Sequence, residues 1–302
     1  MDIDLLVVPY DSARRGERMG AGPLAFLDAR MRARLEQHGH RVRTIVIESR
    51  HDWPAEIGTA FELAAGIAMA VRDARTAGCF PLVLAGNCFT SLGVCAGLGA
   101  GAGVLWADAH GDFNTPETTI GGFLDGMALA TLTGRCWTAM TKRLPGFSPI
   151  AEERVWLVGA RDLDPLEAEV LRHSRVRRVP SESVDAALAP HIREELGDTV
   201  PLYVHLDLDV LDPSVGRANH FATPGGVSTE ALAGLLGALR VHAPPAAVTV
   251  SAYDPAVDVG GRVRDAAMRI VDALLSDEQV VRAAADSPRP ESGGNPAAAG
   301  GH

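Results

Sequence analysis

Apolar positions along the chain fall into two alternating rhythms. Short apolar runs recur at 5–9, 41–47, 81–85, 103–106, 154–159, 176–179, 202–206 and 247–251. Each has the length of a strand, and most are apolar throughout, the pattern of strands covered on both faces. Only the run at 41–47 alternates cleanly, which marks it as more exposed on one side. Between the runs, segments 23–38, 53–77, 88–98, 126–133, 184–196, 229–240 and 263–276 carry apolar residues at helical spacing. Pro23 starts the first of these, Gly78 stops the second, and Asp164-Pro165 reads as the cap of a further helix. About eight strands alternating with helices predict an α/β fold of three layers, α/β/α, around a mostly parallel sheet.

Length and composition bound the size. The chain has 302 residues, of which 47% are hydrophobic and 22% charged, enough for one large α/β domain or two small ones; a single domain at 1–285 is expected. From position 286 the sequence turns to Ser, Pro, Gly and Ala, and 286–302 reads as a disordered tail. A net charge of −10 argues against nucleic acid and anionic membranes as partners. The first residues lack the pattern of a signal peptide, and no apolar stretch reaches membrane-spanning length. Cys79, Cys88, Cys95 and Cys136 show no paired spacing, so reduced thiols and a cytoplasmic location are expected.

The candidate chemistry sits where two strands end. After Gly103-Val-Leu-Trp106 comes Asp108-Ala-His110-Gly-Asp112-Phe-Asn114, and after Pro201-Leu-Tyr-Val-His-Leu206 comes Asp207-Leu-Asp209-Val-Leu-Asp212-Pro213. Carboxylates packed this closely repel one another unless a cation lies among them. Hard oxygens with one imidazole suit manganese, iron or zinc better than calcium. One such cluster can be a solvated acidic loop; two of them, each at a strand end, predict a two-metal site. In a parallel sheet ligands lie outside the carboxyl ends of strands, and Cys88, Asp108, Asp164, Asp207 and Asp254 all fall at or just past such ends.

These two motifs resemble the metal signatures of the arginase (ureohydrolase) family, Asp-Ala-His-x-Asp and Asp-x-Asp-x-x-Asp-Pro, and the likeness runs from Gly16 to about Pro255. It implies an arginase-like fold and hydrolysis of a C–N bond in a guanidino- or amidino-bearing small molecule by metal-bound hydroxide. It also implies two divalent ions, manganese in the family, about 3.5–4 Å apart. By motif position Asp108 and Asp207 would bridge them, with His110 and Asp209 on one and Asp112 and Cys88 on the other. Asn114, Thr119 and Asp164 fall where the family holds the amino-acid end of its substrate, and Thr223 is grouped with them as substrate-binding. His110, Asp112 and Asp125 are the catalytic candidates. A homo-oligomer, trimer or hexamer, is implied by the resemblance alone.

Three departures bear on activity. The family's Gly-Asp-His-Ser reads Gly86-Asn87-Cys88-Phe89, and a thiolate ligand would move the metal preference toward zinc or iron. Its proton-transferring His is replaced by Asp125 in Gly122-Phe-Leu-Asp125-Gly126. Asp125 would take that role if burial raised its pKa, face a cationic substrate, or simply cap the helix that follows. The guanidinium-gripping Glu of Glu-Val-Asn-Pro reads Ala252 here, and a methyl cannot replace a charge-assisted bidentate contact. Two alternatives therefore stand beside the hydrolase: a formimidoylglutamase-like enzyme for another linear amidine, and a non-catalytic relative that binds metal or ligand. His205, inside a strand, reads as a satisfied core histidine, and His38, His40, His51, His173, His191 and His242 as surface positions.

Overall fold

A computed structural model describes residues 1–276; the expected tail at 286–302, and the domain limit at 285, lie outside the described residues. Eight strands form one sheet: β1 (Asp2–Val8), β2 (Arg41–Val46), β3 (Phe80–Ala85), β4 (Gly103–Ala107), β5 (Val155–Val158), β6 (Arg177–Val179), β7 (Leu202–Asp207) and β8 (Pro245–Ser251). They lie in the order β2-β1-β3-β8-β7-β4-β5-β6, every pair parallel. The three-layer expectation holds.

Alternate side chains of each strand feed two cores. Ile3, Leu5, Val7, Leu82, Leu84, Leu105, Val204 and Leu206 pack on one face. There they meet helices α1 (Gly22–Asp28), α2 (Met31–Gln37), α8 (Leu188–Leu196), α9 (Thr229–His242) and α10 (Arg262–Leu275). Leu6, Val8, Val83, Val104, Trp106 and Tyr203 point the other way. On that side lie α3 (Glu56–Thr76), α4 (Ser91–Leu98), α5 (Ala128–Leu132) and the end of α7 (Pro165–Arg172). This double cover explains the near-continuous apolar runs. A further short helix, α6 (Thr138–Thr141), lies between α5 and β5. Among the described residues no helix is long and apolar enough to cross a membrane.

Local corrections have local causes. Segment 23–38 is two helices rather than one, because Arg30 adopts a left-handed φ of 64° between α1 and α2. The helix expected from 53 begins at Glu56, since Pro54 biases Trp53 away from helix and Ala55 is extended. Segment 126–133 is a tight turn, Asp125–Met127, leading into the short α5. A two-residue hairpin, Tyr10–Asp11 with Arg14–Arg15, was not anticipated. It matters because a Cβ on Gly86 would collide with the Tyr10 carbonyl, so glycine lets the chain leaving β3 pass close by. His40 is buried rather than exposed, its Nδ1 3.3 Å from the amino terminus.

The sheet order sets up the site. Pairing of Ala107 with Leu206 and of Ser251 with Asp207 brings the ends of β4, β7 and β8 side by side, with β3 and β5 flanking them.

Candidate functional site

Asp108 leaves β4 fully buried. One of its carboxylate oxygens accepts from Trp106 Nε1 (3.0 Å) and the other from the His110 amide (2.8 Å). His110 Nδ1 lies 3.3 Å from Asp108 and 3.5 Å from Asp209. Asp209 in turn donates its amide to Asp207 Oδ1 (2.8 Å), an interlock that the Asp-x-Asp spacing makes local. From β3, the buried Cys88 thiol donates to Asp207 Oδ2 at 2.9 Å. Two groups result, each with its candidate donor atoms within 4.8 Å of one another: Asp108, His110 and Asp209, and Cys88, Asp108, Asp207 and His205. Asp108 belongs to both.

The expected ligand set is thus brought together with one difference in partition. Asp112 lines the same cavity but is absent from the compact group around Cys88, where His205 stands instead. His205 is fully buried and stacked on Trp106 at 3.8 Å. Its Nδ1 faces Ser91 and Tyr203, and its Nε2 faces Ser251. Both nitrogens are occupied, so it remains a satisfied core histidine that steadies the thiol through Ser251, 3.4 Å from Cys88 Sγ.

The electrostatics favour a cation. Burial, then the neighbouring carboxylates, push Asp112 and Asp207 well above the usual carboxylate range, and Asp108 is raised for the same reasons. Burial and then Asp207 raise the Cys88 thiol as well. Burial works against protonation of His110, but Asp108 and Asp209 outweigh it and push the imidazole up to about 12. Each proton held this tightly stands where a metal charge would serve. Asp112 adds a left-handed φ of 47° and a buried oxygen, Oδ2, with no hydrogen-bond partner among the described residues. Strain together with an unsatisfied acceptor is a usual mark of a ligand site, and the donor set fits divalent ions.

One cavity of about 320 Å³ opens onto these groups. Along one wall Asn114 Nδ2 donates to Asp164 (3.1 Å), Thr118 donates to Asn114 Oδ1 (2.9 Å), and Thr119 Oγ1 accepts from Gly122 N (3.0 Å). Asp164 caps α7 through a reciprocal box with Glu167, as the Asp-Pro reading expected. Asp125 lines the cavity too, but it is not the cap of the following helix. Its oxygens accept from Phe89 N (2.7 Å) and Asn87 Nδ2 (2.9 Å), clasping the turn that carries Cys88. Burial raises the Asp125 carboxyl to about 7 against the lowering effect of those bonds. Ala252, with a φ of 59°, presents its methyl to the cavity. Thr223 is not brought to the cavity wall; its carbonyl accepts from Arg161 Nη2 at 2.8 Å.

Several residues went unread in the sequence. Asn219, fully buried, donates to Asp209 (3.1 Å) and to the Ala252 carbonyl (2.8 Å) and accepts from Phe221 N (2.8 Å). Arg161 donates to carbonyls of Gly159, Asp209, Val210, Thr223 and Pro224, pinning the loops after β5 and β7 together. Glu167 accepts from Phe113 N and Asp164 N and is raised to about 7, chiefly by burial. Asp212, the last acid of its motif, is not a ligand: it accepts from Ser214, Gly225 and Gly226 amides and closes its own loop.

Comparison with known proteins places this geometry. A family model described as Arginase family matches residues 1–276. An arginase of Brevibacillus brevis is 32% identical over 249 residues, 75% of this chain and 82% of that protein. An N(omega)-hydroxy-L-arginine amidinohydrolase of Streptomyces lavendulae is 31% identical over 227 residues, 74% of this chain and 79% of its own. The crystal structure of arginase from Bacillus cereus superposes with a TM-score of 0.83 at 25% identity, covering 92% of this chain and 99% of that one.

Proposed function

The chain belongs to the arginase family, and from that premise we propose that it hydrolyses a C–N bond in a guanidino- or amidino-bearing small molecule with an amino-acid-like end. The observation that carries this reading is the meeting of two metal-capable groups, joined through Asp108, with Asn114 and Asp164 on the wall of one cavity. Asp108, His110 and Asp209 hold one divalent ion; Asp108, Asp207 and Cys88 hold the other, with Asp112 reaching in from the cavity wall. Two such ions, when bound, lower the pKa of water and supply a nucleophile at neutral pH. Manganese is the ion expected from the family, and the Cys88 thiolate biases its own position toward zinc or iron.

The chain's own groups do the rest. Asp164 takes an α-ammonium, while the Asn114 amide and the Thr119 hydroxyl take the carboxylate beside it. Asp125, held from behind by Asn87 and Phe89, faces the reacting end of the substrate as proton carrier or counter-charge. Burial of Asn114 and Asp125 keeps bulk water from competing for their hydrogen bonds. A homo-oligomer, trimer or hexamer, in the cytoplasm completes the proposal. A second reading within the same chemistry is favoured by Ala252. A formimidoyl amidinium presents fewer N–H donors than a guanidinium and so has less use for a bidentate carboxylate there, and one relative is named for an N-hydroxy-guanidino acid.

The test is metal content by mass spectrometry together with product release from L-arginine, N-hydroxy-L-arginine, agmatine and a formimidoyl amino acid. Two ions per chain, with cleavage of amino-acid-ended substrates ahead of agmatine, are expected. Two ions without cleavage of any of the four would make the chain a non-catalytic relative, and no bound metal would sink the reading altogether.

A further inference from the structure

We propose that Phe123 and Phe221 form a cation-binding wall of the cavity, holding the delocalised charge of a guanidinium or amidinium against aromatic faces where Ala252 offers only a methyl. The inference rests on the amidine-hydrolase reading of the cavity and adds to it the specificity-determining residues for the cationic end.

The two rings come from different loops, one following β4 and the other following β7, yet they stack 5.7 Å apart at 26°. The Phe221 ring also stands edge-on to His110 at 6.4 Å and 90°. An aromatic surface thus runs from the edge of the metal-capable groups to the mouth of the cavity, which both phenylalanines line. Phe221 is 50% exposed, so a ligand lying against it covers apolar surface that is otherwise wet. Its position is fixed by Asn219, whose carbonyl oxygen accepts the Phe221 amide and whose NH₂ group bonds Asp209 and the end of β8.

The carboxylates nearby already hold hydrogen bonds, so the rings add to the counter-charge of Asp125 and do not replace it. Asp125 accepts from Phe89 and Asn87, Asp164 from Asn114, and Glu167 from Phe113 and Asp164. A planar, weakly hydrated guanidinium stacks on aromatic faces, and such contacts act within about 6 Å of the ring centre. The chain uses the same pairing internally, with Arg135 over Phe113 at 4.7 Å and Arg177 over Trp156 at 4.9 Å.

The experiment uses manganese-loaded full-length protein and two ligands that are not hydrolysed and differ mainly in charge, L-lysine and L-norleucine. Calorimetry gives their Kd values for wild type, Phe221→Leu, Phe123→Leu and Phe221→Tyr, with metal content checked in each. Phe221→Leu and Phe123→Leu are each expected to weaken lysine by roughly two- to thirty-fold, the range of a cation–π contact. Norleucine should move by less than that in both, and Phe221→Tyr should bind lysine like wild type. Parallel weakening of both ligands, or no weakening, would overturn the wall, as would a wild type that binds neither. A wall that behaves as expected in a protein cleaving no guanidino compound would sink the hydrolase reading and leave the wall standing.

Discussion

The Cys88 thiol donates to Asp207 across 2.9 Å and shares a compact donor group with Asp108, so exchanging it tests directly whether it ligates. Cys88→His should raise manganese occupancy relative to zinc, and Cys88→Ser should empty that position first. Equal metal content and preference in all three proteins would make the thiol a bystander. Asp125→Asn is expected to weaken a cationic guanidino ligand by about one to two decades, as loss of a charge-assisted contact of about 1.5–3 kcal/mol does. Ala252→Glu should recover part of it. Ligand titration decides, because loss of melting temperature with unchanged affinity would reduce Asp125 to a clasp on the Cys88 turn. At this scale the sequence was legible where chemistry repeats at fixed spacing, as in Asp108-x-His110-x-Asp112 and Asp207-x-Asp209. Asn219, Glu167 and Arg161 were opaque because each acts alone, and each joins a near neighbour to a partner more than thirty residues away. Asp212 sits inside a metal motif while serving only its own loop.

Elements were read well where burial imposed the pattern and poorly where backbone conformation did. All eight sheet strands fall within the apolar runs, give or take a few residues, because both faces of the sheet are covered along its six inner strands. The break at Arg30 left no trace, since helical spacing continues across a single left-handed residue. The loop between β2 and α3 shows what a single acid does for an element. Glu62 on α3 accepts from Ser49 Oγ, Arg50 N, His51 Nδ1 and Trp53 Nε1. Burial raises its pKa, but these four bonds outweigh it and hold the carboxyl at about 2, below the ordinary 4.5. A depressed acid stabilises fully above its unfolded value, and the contribution fades as pH falls from about 4.5 to about 2. Glu62→Gln should therefore melt about 2–4 °C lower at pH 7. That gap should close as the pH approaches 2 in a series of thermal scans; a constant gap would assign the effect to packing.

For the molecule as a whole, the neighbouring ends of β4 and β7 deliver mutually repelling carboxylates to one buried place, beside the Cys88 thiol that follows β3, so the fold is under electrostatic stress until a cation arrives. Manganese at about a hundred times its Kd should stabilise the chain by about 2.7 kcal/mol. Asp207→Asn removes one of the repelling charges and one ligand. Its melting temperature in chelator should equal or exceed that of wild type, and added manganese should raise it far less. A variant that gains as much from manganese as wild type would refute the two-ion site. Asn219 carries the matter further, since one amide fastens a metal-capable carboxylate, a strand terminus and the backbone of an aromatic rim residue. Substrate range and metal retention consequently share a single screw. Loop grafts that retarget this cavity will leak metal into the buffer unless they keep an amide at that point, and selection for tighter metal retention will narrow what the mouth admits.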